Sequence, residues 1–313
     1  IIKNSKFFYL DKNNETILIS PIKNLKYSIN NKNNSKELKI KGSIFDINYK
    51  SLWRRYYNNP KKSYNEISLK NPNLFIKNLF EFENNENFEG SSSVDILNEQ
   101  IILKYKKKGE KILIKSPDVS KNQKIKIFSN IELNPFYFDS KITFIDKDLK
   151  FIIDDLLIYT FNIKKEILGN LNGHLTLNFN NIQNQLINSG KIKININEKD
   201  LNVKNAFFEI NDIGIVDSQF KYFEKEGELI FKSKNVFKIK NLNKFKKKFQ
   251  LSLKKSTRPK KIFFDLEKNI STGEILLSNI YVDQINPQEK SNDFYKIKNI
   301  QVLKSLLRDI LPN

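Results

Sequence analysis

The sequence has no cysteine, no methionine and a single histidine, His174. Without cysteine there are no disulfides, thiolate-ligated zinc, Fe–S clusters or thiol nucleophiles. One histidine leaves no His–His metal pair and only one imidazole base. No uninterrupted apolar run reaches the eighteen residues of a membrane-spanning helix. Arginine is scarce too: of 55 basic residues only Arg54, Arg55, Arg258 and Arg308 carry a guanidinium. Arginine is the side chain of choice for bidentate phosphate and guanine contacts. The charge of +20 therefore does not by itself point to nucleic acid, and no nucleic-acid partner is expected. The chain opens on Ile1, which reads as a fragment or a trimmed domain.

What is abundant is Lys, Asn, Ile and Phe, and they alternate. Ile192, Ile194 and Ile196 are interleaved with Lys191, Lys193 and Asn195; Leu171, Leu175, Leu177 and Phe179 are interleaved with Asn172, His174, Thr176 and Asn178. Successive side chains of a strand point to opposite faces, so such stretches have one apolar and one polar face. Ile17–Ile19, Leu38–Ile40, Ile112–Ile114, Ile125–Ile127, Leu229–Phe231 and Ile262–Leu266 behave alike. Polar turns rich in Gly, Asn, Pro or Lys separate them, among them 30–35, 58–62, 83–93 and 106–110. Strands joined by short turns describe an antiparallel meander, and no strand–helix–strand alternation suggests a Rossmann or TIM-barrel fold. The expected fold class is mostly β: one continuous, elongated, twisted antiparallel sheet over residues 1–293, followed by an amphipathic helix at 294–313.

In that helix Ile300, Leu303, Leu307, Ile310 and Leu311 form one stripe, with Lys298, Lys304 and Arg308 beside or opposite it. It could cap an open end of the sheet, lie on an anionic membrane or dock a partner; the cap is the leading reading. A short basic helix is expected over Leu242–Gln250, and one or two turns over Asn162–Leu168.

Catalytic signals are weak. His174 shares the polar face of its strand with Asn172 and Thr176 and reads as a surface residue. Asp265 and Glu267 share a face, but cross-strand pairing explains them. Ser252 and Lys255 match S-x-x-K without its companion motifs. Phosphate-binding glycine loops and zinc-binding His motifs are absent. No enzyme activity, cofactor or metal is expected.

The phrase Ile131-Glu132-Leu133-Asn134-Pro135-Phe136-Tyr137-Phe138 resembles the recurrent I-x-L-x-P-F element of AsmA-like proteins of the bacterial envelope. Gly169-Asn170-Leu171-Asn172-Gly173, Ser189-Gly190-Lys191-Ile192, Asn205-Ala206-Phe207-Phe208 and Asp212-Ile213-Gly214 resemble that family's C-terminal module. Lys261 to Ile280 is similar to the end of this module in AT-rich alphaproteobacteria. The resemblance spans residues 36–311 and is strongest at 123–285. It implies a sheet curled into a half-pipe, a β-groove that binds or conducts phospholipid acyl chains between inner and outer membranes. It also implies a periplasmic location, an inner-membrane anchor that this chain lacks, contact with a membrane surface and a part in outer-membrane integrity.

The sequence pattern supports a groove independently, because few helices are available to cover an apolar sheet face. Leu171, Leu175, Leu177, Phe179, Ile192, Ile194 and Ile196 are its expected lining. Three rival readings stay open. A scaffold would bury the apolar faces between sheets. An outer-membrane barrel would pair its first and last strands. A glycan-acting enzyme would converge carboxylates in a polar cleft.

Overall fold

A computed structural model describes all residues except 11–15, 33, 45–46, 70–73, 85, 97–98, 118–122, 149, 158–171, 185, 198–199, 253–257, 284–293 and 312–313. Strands account for 68% of it. Nineteen belong to one open sheet that does not close into a barrel. The mostly β, antiparallel expectation holds. The strands divide between two compact units: residues 1–143, 164–175 and 196–200 in the first, and 144–163, 176–195 and 201–313 in the second.

The first unit is a meander of β1 (Ile2–Leu10), β2 (Thr16–Asn30), β3 (Ser35–Ile44), β4 (Ile47–Tyr56), β5 (Lys62–Leu69), β6 (Leu74–Phe82), β7 (Phe88–Ile96), β8 (Glu99–Lys108), β9 (Lys111–Lys115) and β10 (Ile125–Leu133). Each is antiparallel to the next. The turn expected at 83–93 is shorter, because β7 begins at Phe88. Ser92 is buried in that strand and donates to Asn78 Oδ1.

Directly opposed residues share a face, so the register sorts this sheet into two. One face holds Trp53, Phe80, Phe88 and Tyr105, whose rings form a cluster with Phe82. Through it runs a polar row. Asn65, only 1% exposed, donates to Ser51 Oγ at 3.1 Å and accepts from Asn78 Nδ2 at 3.0 Å. Buried amides cost free energy unless paired; here neighbouring strands supply the partners. No helix of this unit covers the Trp53 face among the described residues, and Trp53 is 40% exposed. The opposite face is rich in lysine. On it Arg54 Nε donates to Glu37 Oε1 at 2.9 Å.

Next in sequence come β11 (Phe136–Ile145), β12 (Gly173–Asn180) and β13 (Ser189–Asn197). Here the chain departs from a pure meander. The amide of Phe138 donates to the Asn172 oxygen and that of Asp146 to the Asn180 oxygen, at 3.0 and 3.1 Å. Donor and acceptor advance together, so β12 runs parallel to β11, as does the Asp148–Gln183 bridge. Parallel neighbours require a crossover. This one contains a π-helical turn, Phe151–Leu157, that the sequence pattern does not announce. The turns expected at 162–168 lie outside the described residues.

The second unit continues antiparallel through β14 (Asp200–Ile210), β15 (Gly214–Lys225), β16 (Glu228–Ile239), β17 (Lys261–Asn269), β18 (Ile275–Val282) and the short β19 (Tyr295–Lys296). Among the described residues two helices join it: α1 (Leu242–Phe249) and α2 (Ile300–Ile310). The α1 expectation is met within a residue. Asn241 caps it, accepting from the Lys244 amide, and Gln250 ends it in a left-handed conformation. The C-terminal helix starts later than Phe294. Tyr295 and Lys296 pair with β18 instead, and Asn299 accepts from the amides of Gln301 and Val302 to open α2.

Candidate functional site

The second unit holds a cleft of about 320 Å³. Its floor is one face of β14–β18. Cross-strand rows place Phe208, Val216, Phe237 and Ile262 side by side, and Leu266 beside Leu277. Within a strand the lining residues stand two apart, as in Phe208 and Ile210 or Phe231, Ser233, Asn235 and Phe237, so they share a face; between strands the register aligns them. Helix α1 covers one end of the floor. Phe245, fully buried, contacts Phe237 and Phe249, with ring centroids 5.8 and 5.1 Å apart. Helix α2 supplies Leu303, Leu306, Leu307 and Ile310. Leu307 and Leu311 continue into the core around Phe245 and Phe249. Arg308 Nη2 donates to Gln250 Oε1 at 3.3 Å and ties the two helix ends together.

The π turn forms a further wall through Ile153. It is held from β15 and β17. The Tyr222 hydroxyl donates to the Ile153 oxygen at 2.9 Å, and Lys268 Nζ reaches Asp154 Oδ1 at 2.6 Å. Burial pushes the Tyr222 hydroxyl pKa far up, and the Asp154 carboxylate adds to this, so it stays a protonated donor.

Among the described residues, three side chains of the lining are polar, and they satisfy one another. Ser218 Oγ donates to Asn235 Oδ1 at 2.8 Å, and Asn235 Nδ2 donates to Ser233 Oγ at 2.9 Å. The Asn235 amide also reaches the Phe264 oxygen at 3.3 Å. This group carries no charge and makes no demand on a polar ligand. The cleft can accept apolar matter, and among the described residues its lining includes no Asp, Glu, His or Lys side chain.

The sequence-expected lining lies elsewhere. Leu177 and Phe179 of β12 and Ile192, Ile194 and Ile196 of β13 are buried at alternate positions of their strands, and Leu175 is half-buried. Phe179 stacks on Phe144 at 5.3 Å. None of these lines the cleft. Leu171 lies outside the described residues. Of the helix residues, Leu303, Leu307 and Ile310 face the cleft, while the Ile300 side chain is outside the described set. Sequence reasoning missed Phe208, Phe237, Ile153 and the Ser218–Asn235–Ser233 group. The alternation Phe231, Ser233, Asn235, Phe237 was the available signal, since small polar residues in an apolar phase mark a floor with room above it.

The other sequence candidates engage in ordinary pairs. His174 is exposed, and its Nδ1 lies 3.1 Å from the Tyr137 hydroxyl. Asp265 accepts from Asn279 at 2.8 Å, and Glu267 pairs with Lys232 at 3.5 Å. Lys255 of the S-x-x-K match lies outside the described residues. No group of three or more His, Asp or Glu suited to a metal occurs among the described residues. No described helix is long and apolar enough to cross a membrane.

Compared with family models, curated proteins and solved structures, the chain matches none.

Proposed function

We propose that this protein binds phospholipid acyl chains on apolar sheet surfaces and handles lipid without catalysis. The observation that carries the reading is the cleft floored by β14–β18, whose few polar side chains are spent on one another. Such a cavity selects for hydrocarbon. An engineered apolar cavity of about 150 Å³ stays dry and takes up benzene; this one is about twice that size. Each methylene of an acyl chain that leaves water for such a surface gains about 0.8 kcal/mol. The Trp53 face of the first unit, where aromatic rings flank a polar row and no described helix of that unit lies over them, is a second candidate surface. The AsmA-like sequence elements add the setting: the periplasm of a bacterial envelope, tethered to the inner membrane, in support of the outer membrane.

A structural role without lipid transport is the second reading. It is favoured at β12 and β13, where Leu177, Ile192 and Ile194 are almost wholly buried.

Lipid extraction and native mass spectrometry of the purified chain test the proposal, followed by titration of the stripped protein with a fluorescent hexadecanoyl probe. The expected result is co-purifying phospholipid and saturable probe binding. Leu303→Trp, which fills the cleft from α2, should weaken the probe at least about tenfold with the circular-dichroism spectrum unchanged. A chain that carries no lipid and shows no saturable binding is a scaffold.

A further inference from the structure

We infer that the lysine-rich face of the first unit, opposite Trp53, docks on an anionic phospholipid bilayer. Leu79, Ser91, Lys104, Lys115 and Phe128 form one cross-strand row over β6–β10. Five strands at the usual spacing make this row about 19 Å wide. Lys104 and Lys115 stand directly opposite each other, an arrangement that destabilises an isolated sheet. It recurs on the same face at Lys26–Lys39 and Lys41–Lys50. Among the described residues, Lys104, Lys115 and Lys126 have no carboxylate within ion-pair reach. Lys106 and Lys111, by contrast, do, at Glu89 and Glu132.

Repulsion of this kind is relieved by an external anion, and the neighbours indicate which. Phe128 is 46% exposed, Leu79 49%, and Ile102 and Leu113 stand out beside them. A solvated polar face gains nothing from exposed Phe and Leu. A bilayer interface accepts both: apolar side chains enter the headgroup boundary while lysine stems lie along it and lift their ammonium groups to the phosphates. Nucleic acid fits less well. The face carries Arg54, but that guanidinium is held by Glu37, and the aromatic cluster that could stack bases lies on the other face. Docking through this face does not depend on what occupies the cleft in the second unit.

The test is co-sedimentation of the full chain with vesicles of phosphatidylcholine, with and without phosphatidylglycerol. Binding to the mixed vesicles and little to the neutral ones is expected. Lys104→Glu with Lys115→Glu should weaken it at least about thirtyfold, at about fivefold per lysine lost. Leu113→Ser with Phe128→Ser should weaken it with the charge unchanged. The same charge change in the second unit, Lys221→Glu with Lys225→Glu, should matter far less. Circular dichroism confirms that each variant is folded. The inference is overturned if neutral vesicles bind equally, if the second-unit variant loses as much, or if single-stranded RNA displaces the chain from vesicles at comparable concentration.

Discussion

Tyr222 and Ile153, 69 residues apart in sequence, are joined by one hydrogen bond from the phenol to the backbone oxygen. A π turn leaves carbonyl groups in irregular geometry, and a buried carbonyl without a partner is costly. Tyr222 is placed for this by β15, where it lies directly opposite Phe231 and rests against its ring, 5.1 Å away. Replacing Tyr222 by Phe keeps the ring and removes the donor. The expected loss is about 1–2 kcal/mol in urea unfolding. If the π turn is a wall of the cleft, acyl-probe affinity should fall as well.

Deleting residues 294–313 removes Leu306, Leu307 and Leu311 from the interior and bares Phe245 and Phe249. Each buried leucine contributes roughly 2–5 kcal/mol by truncation, which rivals the whole stability of a typical domain. The truncated chain should lose the thermal transition of its second unit or aggregate. A truncated form that stays folded and monomeric but no longer binds anionic vesicles would assign α2 to the membrane instead of the cleft.

Gly90 sits opposite Tyr105 within the β7–β8 ladder. A methyl group there would overlap the Leu79 oxygen and the Tyr105 hydroxyl. Strand propensity favours Ala over Gly by a few tenths of a kcal/mol, but overpacking costs about 1–3 kcal/mol, so the steric term wins. Gly90→Ala should destabilise the first unit by an amount in that range. Gly109→Ala, where nothing lies within 4 Å, tests a different cost, that of its positive φ of 54°.

Glu37 is buried beside Arg54, with Lys39 at 3.4 Å. Burial alone would raise its pKa. The hydrogen bond and charge of Arg54, helped by Lys39, outweigh this and hold it below the ordinary 4.5. A depressed carboxylate pKa contributes stability that is present above the unfolded value and lost as pH falls through the folded one. Between pH 7 and 5 the pair should therefore add nothing to the pH dependence. Below about 4.5 the native chain should lose stability faster than Glu37→Gln, whose deficit at neutral pH should be about 1–3 kcal/mol. Chemical denaturation across pH measures both.

The alternation in Lys191–Asn197 and Gly173–Phe179 was enough to sort buried from exposed residues there, because a strand has no other periodicity to offer. Helix α1 was legible for a similar reason: Phe245 and Phe249 are one turn apart, and Asn241 is a good cap. The cleft was not legible. Phe208, Phe237 and Ile262 come from three strands, and only register sets them side by side. The start of α2 was misplaced because Tyr295 and Lys296 satisfy their backbone groups on β18, a long-range gain that the helical stripe does not reveal.

What the sequence by itself determined is which side of each strand is apolar, where most turns fall, and that thiol and paired-histidine chemistry are excluded. These follow from local sterics and composition. Only the tertiary structure decided that β12 joins β11 in parallel, that a π turn lies in the crossover, and that three polar residues in the cleft satisfy one another. It also decided that Lys104 stands opposite Lys115. Each of these depends on which strand lies beside which and in what register, and backbone hydrogen bonds between distant segments carry no signature in the local pattern of either one.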